Sequence, residues 1–179
     1  MNLQWSVRDH FPEGGLALSL DELWTCAADR SPFCAPSLLK YLAASDAFRR
    51  YKLALAYGCG PDNRLLAWLP LYVHSNGSLR LLHYRGSDQA SVLFAAEVAA
   101  DQMARGFQAA IAFSGARSLY VDRIPPGSRL LDGLVKAIHA CGWHSEAFEA
   151  TSNPMLRFGL GDGGGTALLE SMRSHKKFD

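Results

Sequence analysis

The chain has 179 residues, 49% of them hydrophobic and 20% charged, a composition that suits one globular domain and excludes extended disorder. Its formal net charge of +1 excludes the strongly basic surface typical of nucleic-acid-binding domains, so we expect no nucleic-acid partner. No apolar run reaches roughly 18 residues, the length of a membrane-spanning helix, and we predict no membrane span.

The cysteines indicate a reducing compartment. Cys26, Cys34, Cys59 and Cys141 are scattered along the chain and contain no C-x-x-C pair. The N-terminal residues include charge, Pro and Gly where a secretory signal needs an apolar core. We therefore predict a cytoplasmic protein with reduced, mostly buried thiols, and we interpret Cys26 as a core residue.

The first 50 residues predict one strand followed by two helices. Leu3–Arg8 alternates apolar and polar residues, which indicates a strand. Ser19-Leu20-Asp21-Glu22 has the form of a capping box and predicts a helix that begins there. Pro36 is suited to the first turn of a second helix, Pro36–Ser45.

Three apolar runs then predict an antiparallel meander. The predicted strands are Lys52–Gly58, Arg64–His74 and Ser78–Arg85. Asn76-Gly77 predicts a two-residue hairpin turn, because both residues tolerate the positive φ that this turn requires. The middle strand is apolar in both of its alternating sets, so we expect helices on both faces of the sheet.

The second half predicts helices and strands in alternation. Gly106 lies inside the first of these helices, where it costs ~1 kcal/mol relative to Ala. Gly142 follows the second helix at the position of a C-terminal cap. The segments are a helix at Ala95–Phe113, a strand at Ser118–Asp122, a helix at Ser128–Cys141, strands at Trp143–Ala150 and Met155–Gly159, and a helix from Thr166. The predicted order is therefore βααβββαβαββ with a C-terminal helix.

This order resembles the GNAT acyltransferase fold over residues 3–159. Three stretches are similar to CelD-like acyltransferases, which are related to the Fem-type aminoacyl transferases. They are LLAWLPLYVHSNGSLRLLHYRGSD, SLYVDRIPPGS…LLDGLVKAIHACGW and ALLESMRSHKK. The resemblance implies an α/β (α+β) fold with a mixed, mostly antiparallel sheet and helices on both faces. It also implies transfer of an acyl group from acyl-CoA, such as acetyl-CoA, to an amine or similar small-molecule acceptor.

The resemblance further implies that acyl-CoA is held elsewhere. Such enzymes carry two GNAT-like halves, and cofactor-binding domains usually show R/Q-x-x-G-x-G/A after the fourth strand, where backbone N–H groups cradle the pyrophosphate. The corresponding loop, Arg85–Ser91, has Gly86 as its only glycine and carries Asp88, whose charge would repel a phosphate. We therefore interpret residues 1–160 as the N-terminal half, which shapes the acceptor site. Residues 161–179 are predicted to lead to a second half beyond Asp179.

Two polar clusters are the candidate substrate-binding sites. The first cluster follows a predicted buried strand and consists of Tyr84, Arg85, Ser87 and Asp88. The second ends a predicted apolar helix and consists of Arg173, Lys176 and Lys177. Contact with an anionic acceptor, or with acyl-CoA on the second half, would use charge-assisted hydrogen bonds. The alternative for each cluster is a solvated surface, and no catalytic residue is assigned.

Other patterns have structural interpretations. The glycine-rich Gly159–Gly165 lacks the Lys-Ser/Thr of a P-loop and is interpreted as a flexible connector. His139, Cys141 and His144 are zinc-ligand types, but no second ligand pair lies nearby, so we expect no metal site. The functional alternative is a non-catalytic binding domain with a GNAT-like fold, since fold alone does not decide function.

Overall fold

A computed structural model describes residues 2–27, 32–83, 92–122, 124 and 128–144. All of these belong to one compact unit, Met1–Glu146, and the other unit, Ala147–Asp179, lies outside them. The strands are β1 (Gln4–Arg8), β2 (Lys52–Cys59), β3 (Leu65–Val73), β4 (Ser78–Leu81), β5 (Leu93–Phe94) and β6 (Ser118–Tyr120). The helices are α1 (Gly15–Cys26), α2 (Pro36–Ala44), α3 (Ala100–Ser114) and α4 (Arg129–Ala140), with a 3₁₀ turn at Pro32–Cys34.

The strands form one mixed sheet in the order β1-β2-β3-β4-β6, and β5 pairs with β3. Every pairing is antiparallel except that of β4 with β6, which is parallel. The predicted α/β (α+β) class, with a mostly antiparallel sheet and helices along its sides, is confirmed. The predicted strand Met155–Gly159, the helix from Thr166 and most of Trp143–Ala150 fall outside the described residues.

Strand β3 is buried along both of its faces, as its composition predicts. Every residue from Leu65 to Tyr72 is buried. Helix α3 contacts β1, β2 and β3, and α1 contacts β3 and β5. Trp5, which packs beside Gly106 of α3, and Trp68, which contacts Phe11 just before α1, project from opposite sides of the sheet. Two helical layers thus exclude water from the central strands.

Two local predictions are wrong, and one short strand was missed. Helix α1 begins at Gly15 after Gly14, whose φ is +62°, and Ser19 lies inside the helix, where its hydroxyl donates to the Gly15 carbonyl. The hairpin has three loop residues, because His74 N–H bonds to Ser78 and only Gly77 has positive φ. Strand β5 was not predicted, since Leu93–Phe94 is too short to show a period and forms by long-range pairing with β3. The cap at Gly142, with φ +68°, is confirmed.

Glycine permits the close approach of α3 to the sheet. The Trp5 ring lies between Gly58, its partner on β2, and Gly106 on α3. A Cβ at Gly106 would come within 2.5 Å of that ring. Helix α4 packs on α3 through Gly133 in the same way, since a Cβ there would lie 2.9 Å from Met103. The helix propensity lost at Gly106 is thus the consequence of tight packing.

We predict that Gly106→Ala destabilises the protein by ~1 kcal/mol. Overpacking against Trp5 costs ~1–3 kcal/mol, which exceeds the ~1 kcal/mol gained in helix propensity. Denaturant unfolding measures the change. Gly15→Ala is the control, because a Cβ there meets no atom within 4 Å. In a Trp5→Leu background Gly106→Ala should become neutral or stabilising, and an equal loss in both backgrounds would contradict the packing argument.

The core also encloses polar atoms that lack partners. Among the described residues, Trp5 Nε1, the Tyr57 hydroxyl and Trp68 Nε1 are buried without a hydrogen bond. Tyr57 and Trp68 are direct partners across β2 and β3. Burial raises the pKa of the Tyr57 hydroxyl strongly. The nearby Trp68 Nε1–H acts to lower that pKa, but the two atoms do not meet the geometry of a hydrogen bond.

We predict that Tyr57→Phe stabilises the protein by ~1 kcal/mol, because an unpartnered buried hydroxyl is removed. In the parent protein, burial raises the pKa of Tyr57 in the folded state, so only the unfolded state ionises just above pH about 10, the ordinary tyrosine pKa. The free energy of unfolding is therefore unaffected by Tyr57 below that pH and decreases above it. The variant should lose less stability there. Tyr41→Phe, at a position 73% exposed, is the control. Coincident alkaline profiles for parent and Tyr57→Phe would contradict the burial argument.

Candidate functional site

Strands β4 and β6 are the last pair of the described sheet, and their parallel pairing ends at Arg80 and Tyr120. The pairing covers Ser78–Arg80 and Ser118–Tyr120. Beyond it Leu82 N–H donates to the Pro70 carbonyl and Leu93 is the partner of Trp68, so both residues bond to β3. Residues 83–92 lie between these two contacts in the sequence. The carboxyl ends of β4 and β6 therefore mark an edge where side chains from three strands meet.

A relay of polar side chains runs along the β3–β4 hairpin. His74 Nδ1 lies 3.0 Å from Asn76 Oδ1, which also accepts from the Ser78 N–H and hydroxyl at 3.1 and 2.7 Å. The buried Ser78 oxygen in turn accepts from Arg80 Nε at 3.0 Å. The turn that joins the strands thereby sets the orientation of the Arg80 side chain.

Arg80 lies between two tyrosines. Its guanidinium carbon is 5.1 Å from the ring centre of Tyr120, its partner on β6, in a cation–π contact. Tyr72 is its partner on β3. The ion pairs of the described chain leave Arg80 without a carboxylate partner. Since Nε is bonded to Ser78, the two Nη groups are the donors that remain for a ligand.

Tyr72 belongs to an aromatic cluster next to Arg80. Its ring centre is 5.2 Å from those of both Phe48 and Tyr51, and the Tyr51 ring stacks on His74 at 5.3 Å. Burial raises the pKa of the Tyr72 hydroxyl. The positive charge of Arg80 and a weaker hydrogen-bonding contact from it act to lower that pKa, and burial outweighs both. The phenol therefore stays protonated at neutral pH.

His83 and Asp122 meet just beyond the parallel pair. Their Nδ1 and Oδ1 atoms are 3.9 Å apart, too far for a hydrogen bond, and His83 Nδ1 lies 3.1 Å from the Leu81 carbonyl. The His83 side chain is 22% exposed and that of Asp122 31%. An imidazole thus lies at this edge with partial access to solvent.

The predicted site residues all lie outside the described part of the chain. They are Tyr84, Arg85, Ser87, Asp88, Arg173, Lys176 and Lys177. The first of them directly follows His83, so the first cluster starts at the described edge. Tyr72, Arg80 and Tyr120 were not predicted as site residues. Tyr72 lies in the apolar middle strand of the meander, and spacing along the chain does not reveal partners across strands.

The cysteines and histidines have other roles. Cys26 is exposed at the end of α1, so its prediction as a core residue is wrong; the buried stripe of α1 consists of Leu20 and Leu23. None of the four cysteines, all of them within the described residues, forms a disulfide. In the described ranges no three His, Cys, Asp or Glu side chains are grouped as a metal ion requires. No helix of the described chain is long and apolar enough to cross a membrane.

Comparison with known proteins identifies no relative. No family model, curated protein or solved structure matches the chain. Function is therefore inferred from the resemblance of the motifs and from the geometry at the sheet edge.

We predict that Ser78→Ala destabilises the protein by ~1 kcal/mol, because Arg80 Nε loses its acceptor and Asn76 loses a donor. Chemical denaturation measures the loss, and NMR line widths of the Arg80 Nε–H should show greater mobility. Ser75→Ala is the matched control, since the exposed Ser75 hydroxyl makes only a 3.5 Å contact to His74. Equal effects of the two substitutions would contradict the relay.

Proposed function

We propose that this chain is the N-terminal half of a GNAT-type N-acyltransferase, which moves an acyl group from acyl-CoA to an amine or similar acceptor. In this proposal the described half shapes the acceptor site and packs against a second GNAT-like half. The observation that carries it is the parallel pair of β4 with β6 in a sheet whose other pairings, among the described strands, are antiparallel; apart from the short β5, the described elements follow the predicted order as far as α4.

The sheet edge supports an acceptor site. In open sheets, ligands bind outside the carboxyl ends of parallel strands, where neighbouring chains diverge. Here Arg80 and Tyr120 are the last residues of the parallel pairing, and the His83–Asp122 contact lies just beyond them; in the sequence, Tyr84 of the first predicted cluster comes next. Ordered polar groups and aromatic surface at one point are suited to holding a small molecule.

Acyl transfer requires that the amine be positioned, that it lose a proton and that the carbonyl oxyanion be stabilised. Among the described residues at this edge, His83 carries an imidazole, the side chain that most often accepts a proton in such reactions. Asp122, at 3.9 Å, places a negative charge beside it. Acyl-CoA is assigned to the second half because the loop Arg85–Ser91 lacks the pyrophosphate signature. A reducing cytoplasm remains the proposed compartment, supported by four cysteines without a disulfide.

A non-catalytic binding domain is the second candidate. It is favoured by one observation, that the Arg80 guanidinium packs on the ring of Tyr120, a side chain that is 54% exposed. A binding domain needs such a surface and no cofactor. The two candidates therefore differ in their response to acyl-CoA.

Thermal unfolding with acetyl-CoA separates the candidates. The 179-residue chain and the longer protein that would contain the proposed second half are both heated with and without acetyl-CoA, with ATP as the control nucleotide. At about 100 times Kd a ligand stabilises by ~2.7 kcal/mol, a shift of several degrees. We expect this shift for the longer protein only, together with release of free coenzyme A thiol when amines are added.

The opposite outcomes are informative. Tight binding of acetyl-CoA by the 179-residue chain alone would show that the cofactor site is not on a second half. No response from either form would leave the binding domain as the better account.

A further inference from the structure

We propose that Arg80, together with Tyr72 and Tyr120, forms a binding site for the carboxylate of a small molecule. This inference deepens the proposed function and rests on it, because it names the acceptor as a compound that carries a carboxylate. The three residues come from β4, β3 and β6 and are mutual partners in the sheet register.

The orientation of Arg80 supports recognition of a planar anion. Nε is bonded to Ser78, and the guanidinium is held against the Tyr120 ring. This arrangement fixes the plane of the group and leaves the Nη1 and Nη2 donors as a fork. A carboxylate accepts two parallel hydrogen bonds from such a fork, with geometric selectivity that an ammonium group does not give.

The charges around Arg80 favour a ligand with a single negative charge. The described part of the chain gives its guanidinium no carboxylate partner, and Asp122 is near enough to raise the pKa of Tyr72. One arginine with an aspartate nearby matches a monoanion better than a phosphate dianion, which Asp122 would repel. Tyr72, protonated at neutral pH, presents a hydroxyl beside the same position.

The aromatic groups give the site an apolar wall. Tyr120 is 54% exposed although its ring holds the guanidinium, and Phe48, Tyr51 and Tyr72 form a packed cluster on the other side. An aromatic surface beside a fixed donor group is typical of sites that take a small molecule with one charged end. The carboxylate probes used in a test should therefore carry a ring.

Titration with benzoate tests the site in the 179-residue chain. We expect benzoate, followed by the guanidinium N–H resonances of Arg80, to bind with a shift that saturates. Benzamide, the neutral isostere, and phenyl phosphate, the dianion, should bind at least about tenfold more weakly, because benzamide makes no charge-assisted hydrogen bond and Asp122 repels the second charge of phenyl phosphate. Arg80→Gln should lose at least about tenfold in benzoate affinity, and Arg80→Lys should fall between Gln and the parent.

Arg64→Gln is the matched control, because Arg64 is an exposed arginine at the opposite end of β3 and should leave benzoate binding unchanged. No shift at Arg80 with benzoate, equal binding of benzamide, preference for phenyl phosphate, or an equal loss in Arg64→Gln would each overturn the carboxylate site. Since the parent chain reports through its own Arg80 resonances, a poorly folded Arg80 variant does not remove the test.

The carboxylate site and the acyltransferase fail in different ways. Benzoate binding at Arg80 without any response of the longer protein to acetyl-CoA would support the site and contradict the acyltransferase. A response to acetyl-CoA without benzoate binding would support the acyltransferase and contradict the carboxylate site.

Discussion

The pairing of β2 with β3 is the constraint on which the structure depends. Both strands lie at the centre of the sheet, and β3 is buried on both faces from Leu65 to Tyr72. A slip of one residue would exchange the sets of side chains that meet the two helical layers, so packing enforces the register. That register, carried on to β4 by the hairpin, places Tyr72 opposite Arg80. The core and the candidate site are therefore consequences of the same pairing.

Close packing on one side of the sheet is achieved with small residues rather than complementary large ones. Trp5 fills the space between β2 and α3 because Gly58 and Gly106 have no side chains there. Gly133 brings α4 onto α3 in the same manner. Each glycine lowers helix or strand propensity, and burial of the tryptophan and methionine surfaces offsets that loss.

Polar groups at the described sheet edge are hydrogen-bonded, whereas several polar groups in the core of the described chain are not. In the core, the Tyr57 hydroxyl and the Trp68 N–H are buried and lack partners among the described residues. At the edge, His74, Asn76, Ser78 and Arg80 are joined by a continuous relay. Such ordering reduces the entropy that a ligand must remove on binding. The proposed carboxylate site depends on this preorganisation.

The sequence by itself determined the central meander, the burial of β3 on both faces and the cap at Gly142, because these depend on local periodicity and on the backbone freedom of glycine. Only the tertiary structure decided that α1 begins at Gly15 and that β5 returns to β3. It also decided the site, since Tyr72, Arg80 and Tyr120 lie on three strands. The hydrogen-bond register between distant segments sets which residues are partners across strands. The composition of one strand does not reveal that register.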